Sequence, residues 1–420
     1  MLLRHPAHPS RSVRLSYCLN LHPADTLEGL YEGLACVTEP LHARLAPGRE
    51  FSVGMYLPAT LARALASDAD ALRELRAWLG GHGLDPSTFN AFPYGGFTHI
   101  GLKEGVFAPE WWCAERLQYT LDVAQVAARL LPSLGPRRHV SISTHTGAHM
   151  SRVRPTELDS TRRSVFANWV AVASQLARVE REQGTRIVLA AEPEPRALTE
   201  TCAALAEVFA SERELRGAQS EAQLAVARHV GVCLDTCHAA VEFEPADQRW
   251  RAALAASGAG VGKLQFTSAL SVLDPRGNEF GRRALLELDE ARYLHQVTGQ
   301  GPDAVARAGD LGELRSGWAE PQSAWHACTE WRCHFHVPVD LEALGATGLS
   351  TTRDYADAVL ALELAAPNLW PSDELHVEIE TYTWDVLPRE ARGAGELVDG
   401  LEREYRHVLA VLERAGWLLG

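Results

Sequence analysis

The chain predicts an α/β fold of the (β/α)8 barrel class, and three observations predict it. Eight short β-rich runs alternate with longer amphipathic helical stretches, glycines sit at helix ends just before the next strand, and no GxGxxG or Walker signature opens any helix. Strand–helix–strand repetition means parallel strands joined by crossover helices. Eight repeats in 420 residues favour a closed barrel over an open doubly wound sheet.

The strands are expected at 13–19, 51–57, 88–92, 139–144, 186–191, 230–234, 263–266 and 375–379, each a short apolar run. Between them, amphipathic helices are expected at 60–79, 116–131, 157–182 and 196–213, with a last helix over 389–415. Gly80, Gly81, Gly83, Gly135, Gly184 and the Gly258–Gly262 stretch mark the helix stops. One interval breaks the rhythm. Residues 274–368, between strands seven and eight, form a long insertion with its own extended run at 331–339. It reads as an elaborated loop over the barrel mouth within a single domain spanning 1–420, since no Ser- or Pro-rich linker marks a boundary.

Composition narrows the function. Lys and Arg total 40 against 54 Asp and Glu, a formal charge of −14, which argues against a nucleic-acid partner. No apolar stretch is long enough to span a bilayer, so no membrane insertion is expected. Prolines break MLLRHPAHPSRS before any apolar signal region forms. Eight cysteines without a CxxC pair fit neither a zinc ribbon nor a disulfide scaffold, and a reducing cytoplasm is the expected location. Only two of the 40 basic residues are lysines, Lys103 and Lys263, which makes each a candidate for a role that arginine would not fill.

In a (β/α)8 barrel the site lies at the C-terminal ends of the strands. Strand five, IVLAAE, ends on Glu192; strand six, VGVCLDTCH, on Asp235 with His238 three residues on; strand seven, KLQF, holds Gln265; strand eight, LHVEIET, ends on Glu380. Strand four ends on His145, strand one leads to Asn20 and His22, and strand three to Asn90 and Tyr94. Carboxylates converging on one axis force protonation or demand a cation. Oxygen-rich ligation with room for a histidine suits one divalent ion, Mn²⁺, Co²⁺, Mg²⁺ or Zn²⁺. His334 and His336, two apart in an extended run, share a face and either reach onto the site or form a structural pair. Alternation also places Lys263 one layer below Gln265 and Glu378 one layer below Glu380, which predicts an ion pair beneath the site. Trp111, Trp112, Trp331 and Trp384 read as core or rim residues rather than sugar platforms.

The strings FPYGGF, LKEGVFAPEWW, STHTG, LDTCH, KLQFTSAL, HFHVPV and EIETYTWDVLP resemble the xylose-isomerase-like TIM-barrel superfamily, which includes sugar isomerases, epimerases and apurinic endonucleases. Within it the chain most resembles the EboE "metabolite traffic protein" family of ebo clusters, over nearly its whole length. The resemblance implies a metal held by Glu192, Asp235, Glu380 and the strand-seven position, where Gln265 replaces a histidine. His238 is either a further ligand, as in the DNA-repair branch, or a substrate or positioning contact. Glu192 and Glu380 are the implied acid/base pair. The remaining polar candidates, Asn20, His22, Asn90, Tyr94, Lys103, His145, Lys263, His334 and His336, are expected around the substrate. The expected function is a metal-dependent isomerase or epimerase of a sugar or cyclitol-type molecule, with other ebo-cluster proteins as partners. A non-catalytic metabolite-binding or scaffold protein and a metal-dependent phosphoester hydrolase are the competing readings.

Overall fold

The computed structural model describes residues 1–97, 99–247, 249–388 and 397–420. Eight parallel strands form the centre: β1 (His8–Tyr17), β2 (Phe51–Tyr56), β3 (Leu84–Asn90), β4 (Val140–His145), β5 (Ile187–Glu192), β6 (Val230–Asp235), β7 (Val261–Phe266) and β8 (Glu374–Ile379). They pair in the order β1–β8–β7–β6–β5–β4–β3–β2, and a parallel bridge between Cys18 and Gly54 joins the two ends into a ring. The strands carry side chains buried on both faces, as near-continuous apolar runs between helices must.

Several boundaries differ from expectation for local reasons. β1 begins at His8 because Leu2–His5 folds back on it as an antiparallel hairpin, so the start of the chain is ordered sheet, paired on its other side with Leu418–Leu419. β3 begins at Leu84 despite Pro86, which lies where the register shifts between the Ser52–Asp85 and Gly54–Thr88 pairs and no ladder donor is missed. The helix expected over 60–79 is two, Ala59–Ser67 and Ala69–Gly81. Asp68 leaves helical geometry between them, and its carboxylate accepts from the N–H groups of Asp70 and Ala71. The helix expected at 196–213 starts at Cys202, capped by Thr201. The last helix is Leu397–Arg414; its expected start at Arg389 lies outside the described residues.

Residues 267–373 between β7 and β8 contain a five-stranded antiparallel sheet, ordered Val305–Ala308, Val297–Gln300, Glu330–Val337, Ser268–Leu273, Ser350–Thr351. The elaboration therefore begins at Ser268 rather than at 274, directly after β7. It has its own apolar core, centred on Leu270, Val297, Trp331 and Phe335. The helix Arg353–Ala365 then returns to the barrel, where Glu363 pairs with Arg251. Among the described residues, no helix is long and apolar enough to cross a membrane.

Candidate active site and metal centre

The acidic residues come from strand ends, as a parallel barrel dictates. Glu192 closes β5, and His145 of β4 pairs with it in register. Asp235 closes β6 and caps the short buried helix Thr236–Val241, its Oδ1 accepting from the N–H groups of Cys237 at 2.7 Å and His238 at 2.9 Å. Glu380 follows β8, and its Oε1 accepts from the amides of Asn20 at 2.7 Å and Asn90 at 2.8 Å. One oxygen from each of Glu192, Asp235 and Glu380 lies within 4.8 Å of the other two. Glu192 Oε2 and Asp235 Oδ2 are buried without a hydrogen-bond partner. In that setting burial, then repulsion from Glu380, Asp235 and Glu194, pushes the Glu192 carboxyl well above the usual range. Burial pushes Glu380 well above its usual range too, with further repulsion from Glu378 and Asp235. It raises Asp235 to about 7 against the pull of its two backbone donors.

Beside this carboxylate cluster three imidazoles converge. His238 lies on the helix after β6; His334 and His336 lie on the strand Glu330–Val337, whose register against Ser268–Leu273 shifts between Cys333 and Val337. Each ring is held at Nδ1 by an acceptor. His238 Nδ1 faces the Pro193 carbonyl at 3.1 Å and Glu192 Oε1 at 3.3 Å, His336 Nδ1 the Glu380 carbonyl at 2.7 Å, and His334 Nδ1 the Gln296 amide oxygen at 2.5 Å. An acceptor at Nδ1 keeps the proton there and turns the Nε2 lone pair inward. His238 Nε2 lies 3.0 Å from His334 Nε2 and 3.3 Å from His336 Nε2. Burial disfavours the charged form of all three rings and lowers His336 to about 3. Facing lone pairs next to carboxyl oxygens without partners are the donor set a divalent cation fits.

The cavity is lined by Asn20, Asn90, Lys103, Glu192, His238, His334, His336 and Glu380 from the expected set. The structure brings these together. Asp235 and Gln265 lie beneath the cavity wall, and the Gln265 amide oxygen accepts from Cys233 Sγ at 2.9 Å while its Nε2 has no partner. Four expected substrate contacts lie elsewhere. The 3-10 turn Leu19–Leu21 points Asn20 inward and leaves His22 behind the barrel, bonded to Tyr17 Oη at 2.9 Å. Tyr94 packs edge-on against Tyr119, and His145 lies between Phe92 and Phe107. Lys263 is fully buried in the barrel, paired with Glu378 and donating to Ser143 Oγ at 3.1 Å. Of the tryptophans, Trp111, Trp331 and Trp384 are buried and Trp112 is at the surface.

Glu194, Gln296, Tyr293 and Tyr382 complete the surroundings and were not expected. Glu194 and Tyr382 sit two residues beyond Glu192 and Glu380, so strand alternation extended past the strand ends would have found them. Gln296 carried no sequence signal. Its amide donates to Glu194 Oε1 and to the Pro195 carbonyl, both at 3.0 Å, and so orients the oxygen that holds His334. Burial raises the Glu194 carboxyl to about 8, against the hydrogen bond from Gln296.

No family model matches the chain, and no curated protein sequence matches it. Solved structures with similar folds include the IolI protein with a binding zinc atom, 12% identical over 96% of this chain and 99% of that one, with a TM-score of 0.44. A xylose isomerase domain protein from Planctomyces limnophilus is 10% identical, covering 96% and 97%, with a TM-score of 0.44. An AP endonuclease of family 2 from Brucella melitensis is 15% identical over 60% of this chain and 78% of its own, with a TM-score of 0.36.

Proposed function

We propose that the protein is a metal-dependent isomerase or epimerase acting on a sugar or cyclitol-type small molecule. The observation that carries this reading is the convergence of the Glu192, Asp235 and Glu380 carboxylates beside three Nε2 lone pairs, with Glu192, Glu380 and the three histidines lining one cavity. Glu192, Asp235 and Glu380 would hold the ion, with His238, His334 and His336 as the neighbouring donors; Gln265, expected as a ligand, faces Cys233 instead. Such an ion polarises a carbonyl and stabilises the charge that develops on its oxygen.

The chain's own residues supply the proton handling. Glu380 is held in one orientation by the two asparagine amides, so its carboxylate is positioned to take or return a proton at a substrate carbon. Glu192 reaches the cavity from β5, separated from β8 by β6 and β7 in the ring, and keeps one oxygen without a protein partner. Positioned proton transfer of this kind contributes a factor of about 10²–10⁴. In D₂O the protein should place deuterium on the carbon next to the carbonyl of its substrate, and Glu380→Gln or Glu192→Gln should reduce that exchange at least ~10²-fold with the fold retained. Exchange unchanged by both substitutions would refute the assignment.

The sequence resemblance to the EboE family supports a place in an ebo-type metabolite pathway, with other ebo-cluster proteins as partners, in the cytoplasm. On this reading the whole chain is one barrel domain, and the 267–373 segment is its cover. A non-catalytic binding protein is the second reading. Gln265 favours it, because an amide at the strand-seven position is a poorer ligand than imidazole. Tight ligand binding with no exchange would select it. Phosphoester hydrolysis is disfavoured by the charge of −14 and by the pairing of the mouth cations described next.

A further inference from the structure

The cavity is chemically two-sided. Glu192, Glu194, Glu380 and the three histidines form one wall. The opposite wall is apolar and comes from separate stretches of chain: Phe92, Leu102 and Val106 from the loop after β3, and Leu294 from the 267–373 segment. Phe92, Val106 and Leu294 belong to one small apolar cluster with Phe107 and Ala197. Above them Phe97, Tyr293 and Tyr382 close a three-ring cluster, each centroid 5.1–5.4 Å from the other two. Tyr382 joins the two walls, its ring in this cluster and its hydroxyl 3.2 Å from His334 Nε2.

The two cations that reach the cavity are already neutralised. Lys103 Nζ lies 2.7 Å from Asp310, and the Arg292 guanidinium is paired with Asp385. Among the described lining residues no cation is left for a phosphate or carboxylate, while three carboxyl groups, Glu192, Glu194 and Glu380, line the polar side. The chain's own side chains therefore offer an anionic substituent no free counter-ion. Asn20 Oδ1, buried and without a partner, is an acceptor aimed at a ligand hydroxyl.

From these features we infer that the substrate is an uncharged polyol carrying an apolar, ring-sized substituent, and is neither a free sugar nor a sugar phosphate. This rests on the isomerase reading for the polyol end alone; the apolar end follows from the wall. The hydroxyl-bearing end lies toward Glu192, Glu380 and Asn20. The substituent lies against Phe92, Val106 and Leu294, under the three rings.

Matched probes test it. Glucose and myo-inositol, their monophosphates and their O-phenyl ethers or glycosides are titrated into the full-length protein saturated with Mn²⁺, by ligand-observed NMR and calorimetry. The phenyl derivatives should bind at least ~10-fold tighter than their parents, as burial of one aromatic ring provides, and the phosphates should not bind. Leu294→Asn and Val106→Asn should each remove most of that gain while leaving thermal stabilisation by Mn²⁺ in place. Asp385→Asn, which releases Arg292, should admit the phosphates. Parents or phosphates binding as tightly as the phenyl compounds, or no phenyl compound binding at all, would overturn the inference. Phenyl compounds that bind equally well to metal-free protein would leave it standing and count against the metal-dependent isomerase reading instead.

Discussion

At Gly54 the barrel ring closes, and there is no room for a side chain. A Cβ there would overlap Glu378 Oε1 and lie 3.0 Å from the Tyr17 carbonyl. Glu378 occupies that space because it pairs with Lys263, with both side chains fully buried. Gly54→Ala should therefore cost about 1–3 kcal/mol of overpacking and weaken the ion pair as well. Lys263→Met leaves an uncompensated buried carboxylate and should cost about 3–5 kcal/mol, whereas Lys263→Met combined with Glu378→Leu should recover most of it. Urea denaturation of the single and double variants checks both statements; a double variant no more stable than Lys263→Met would show that the pair acts through more than charge compensation. The pair was legible from the sequence, since alternation along two neighbouring strands places both residues inward at adjacent levels. The need for glycine at 54 was not, because it depends on a side chain 324 positions away.

At the scale of elements, the short stretch that brings Arg292, Tyr293 and Leu294 to the cavity is held by one carboxylate. Glu290 accepts from the N–H groups of Arg292 and Tyr293, both at 2.7 Å, and its Oε1 lies 3.1 Å from His295 Nε2. Partial burial pulls its pKa up, but these donors outweigh it and hold the carboxyl at about 2, below the ordinary 4.5. A carboxyl depressed on folding stabilises the native state above its unfolded pKa and loses that contribution as pH falls through the folded value. The stability difference between the natural protein and Glu290→Gln should therefore be full above about pH 4.5 and vanish by about pH 2. Denaturation midpoints measured from pH 2 to 7 test it, and a pH-independent difference would contradict it. Other elements were read with less success. The break at Asp68 carried a cap signal that the apolar period ran across, and β3, expected at 88–92, spans Leu84–Asn90 with Pro86 at a register shift. The strand Glu330–Val337 was expected in outline, with its two histidines on one face.

For the whole molecule, the carboxylate and imidazole donors come from the ends of β5, β6 and β8, the helix after β6 and the strand Glu330–Val337, so a bound cation would tie the barrel to the 267–373 segment. Divalent metal at 100 times its dissociation constant should add about 2.7 kcal/mol to stability, and stripping it with a chelator should lower Tm by the corresponding amount. Glu380→Gln and His334→Ala should shrink that shift; a Tm indifferent to Mn²⁺, Co²⁺, Mg²⁺, Zn²⁺ and chelator alike would rule out the metal centre. At the other end of the barrel Arg14 of β1 ties together Glu374 of β8 at 3.0 Å, Glu50 at 2.7 Å and Asp85 of β3. This charged floor joins strands far apart in sequence and had no sequence signature.

What the sequence determined by itself is whatever depends on a local period. The eight parallel strands, the inward alternation of Lys263 and Glu378, and the strand-end positions of Glu192, Asp235 and Glu380 follow from spacing two along a strand and from the rule that barrel sites lie at C-terminal ends. What only the tertiary structure decided is which side chains meet across segments. His238 meets His334 and His336, 96 and 98 residues on, and Gln296, just before the strand Val297–Gln300, sets the orientation of His334 with no motif to mark it. His22, Tyr94, His145 and Lys263 left the expected substrate set because turns and packing partners, rather than position near a strand end, set where a side chain points. A strand period fixes direction over a few residues, whereas a contact between distant segments is chosen by the packing of the whole fold, which no local pattern encodes.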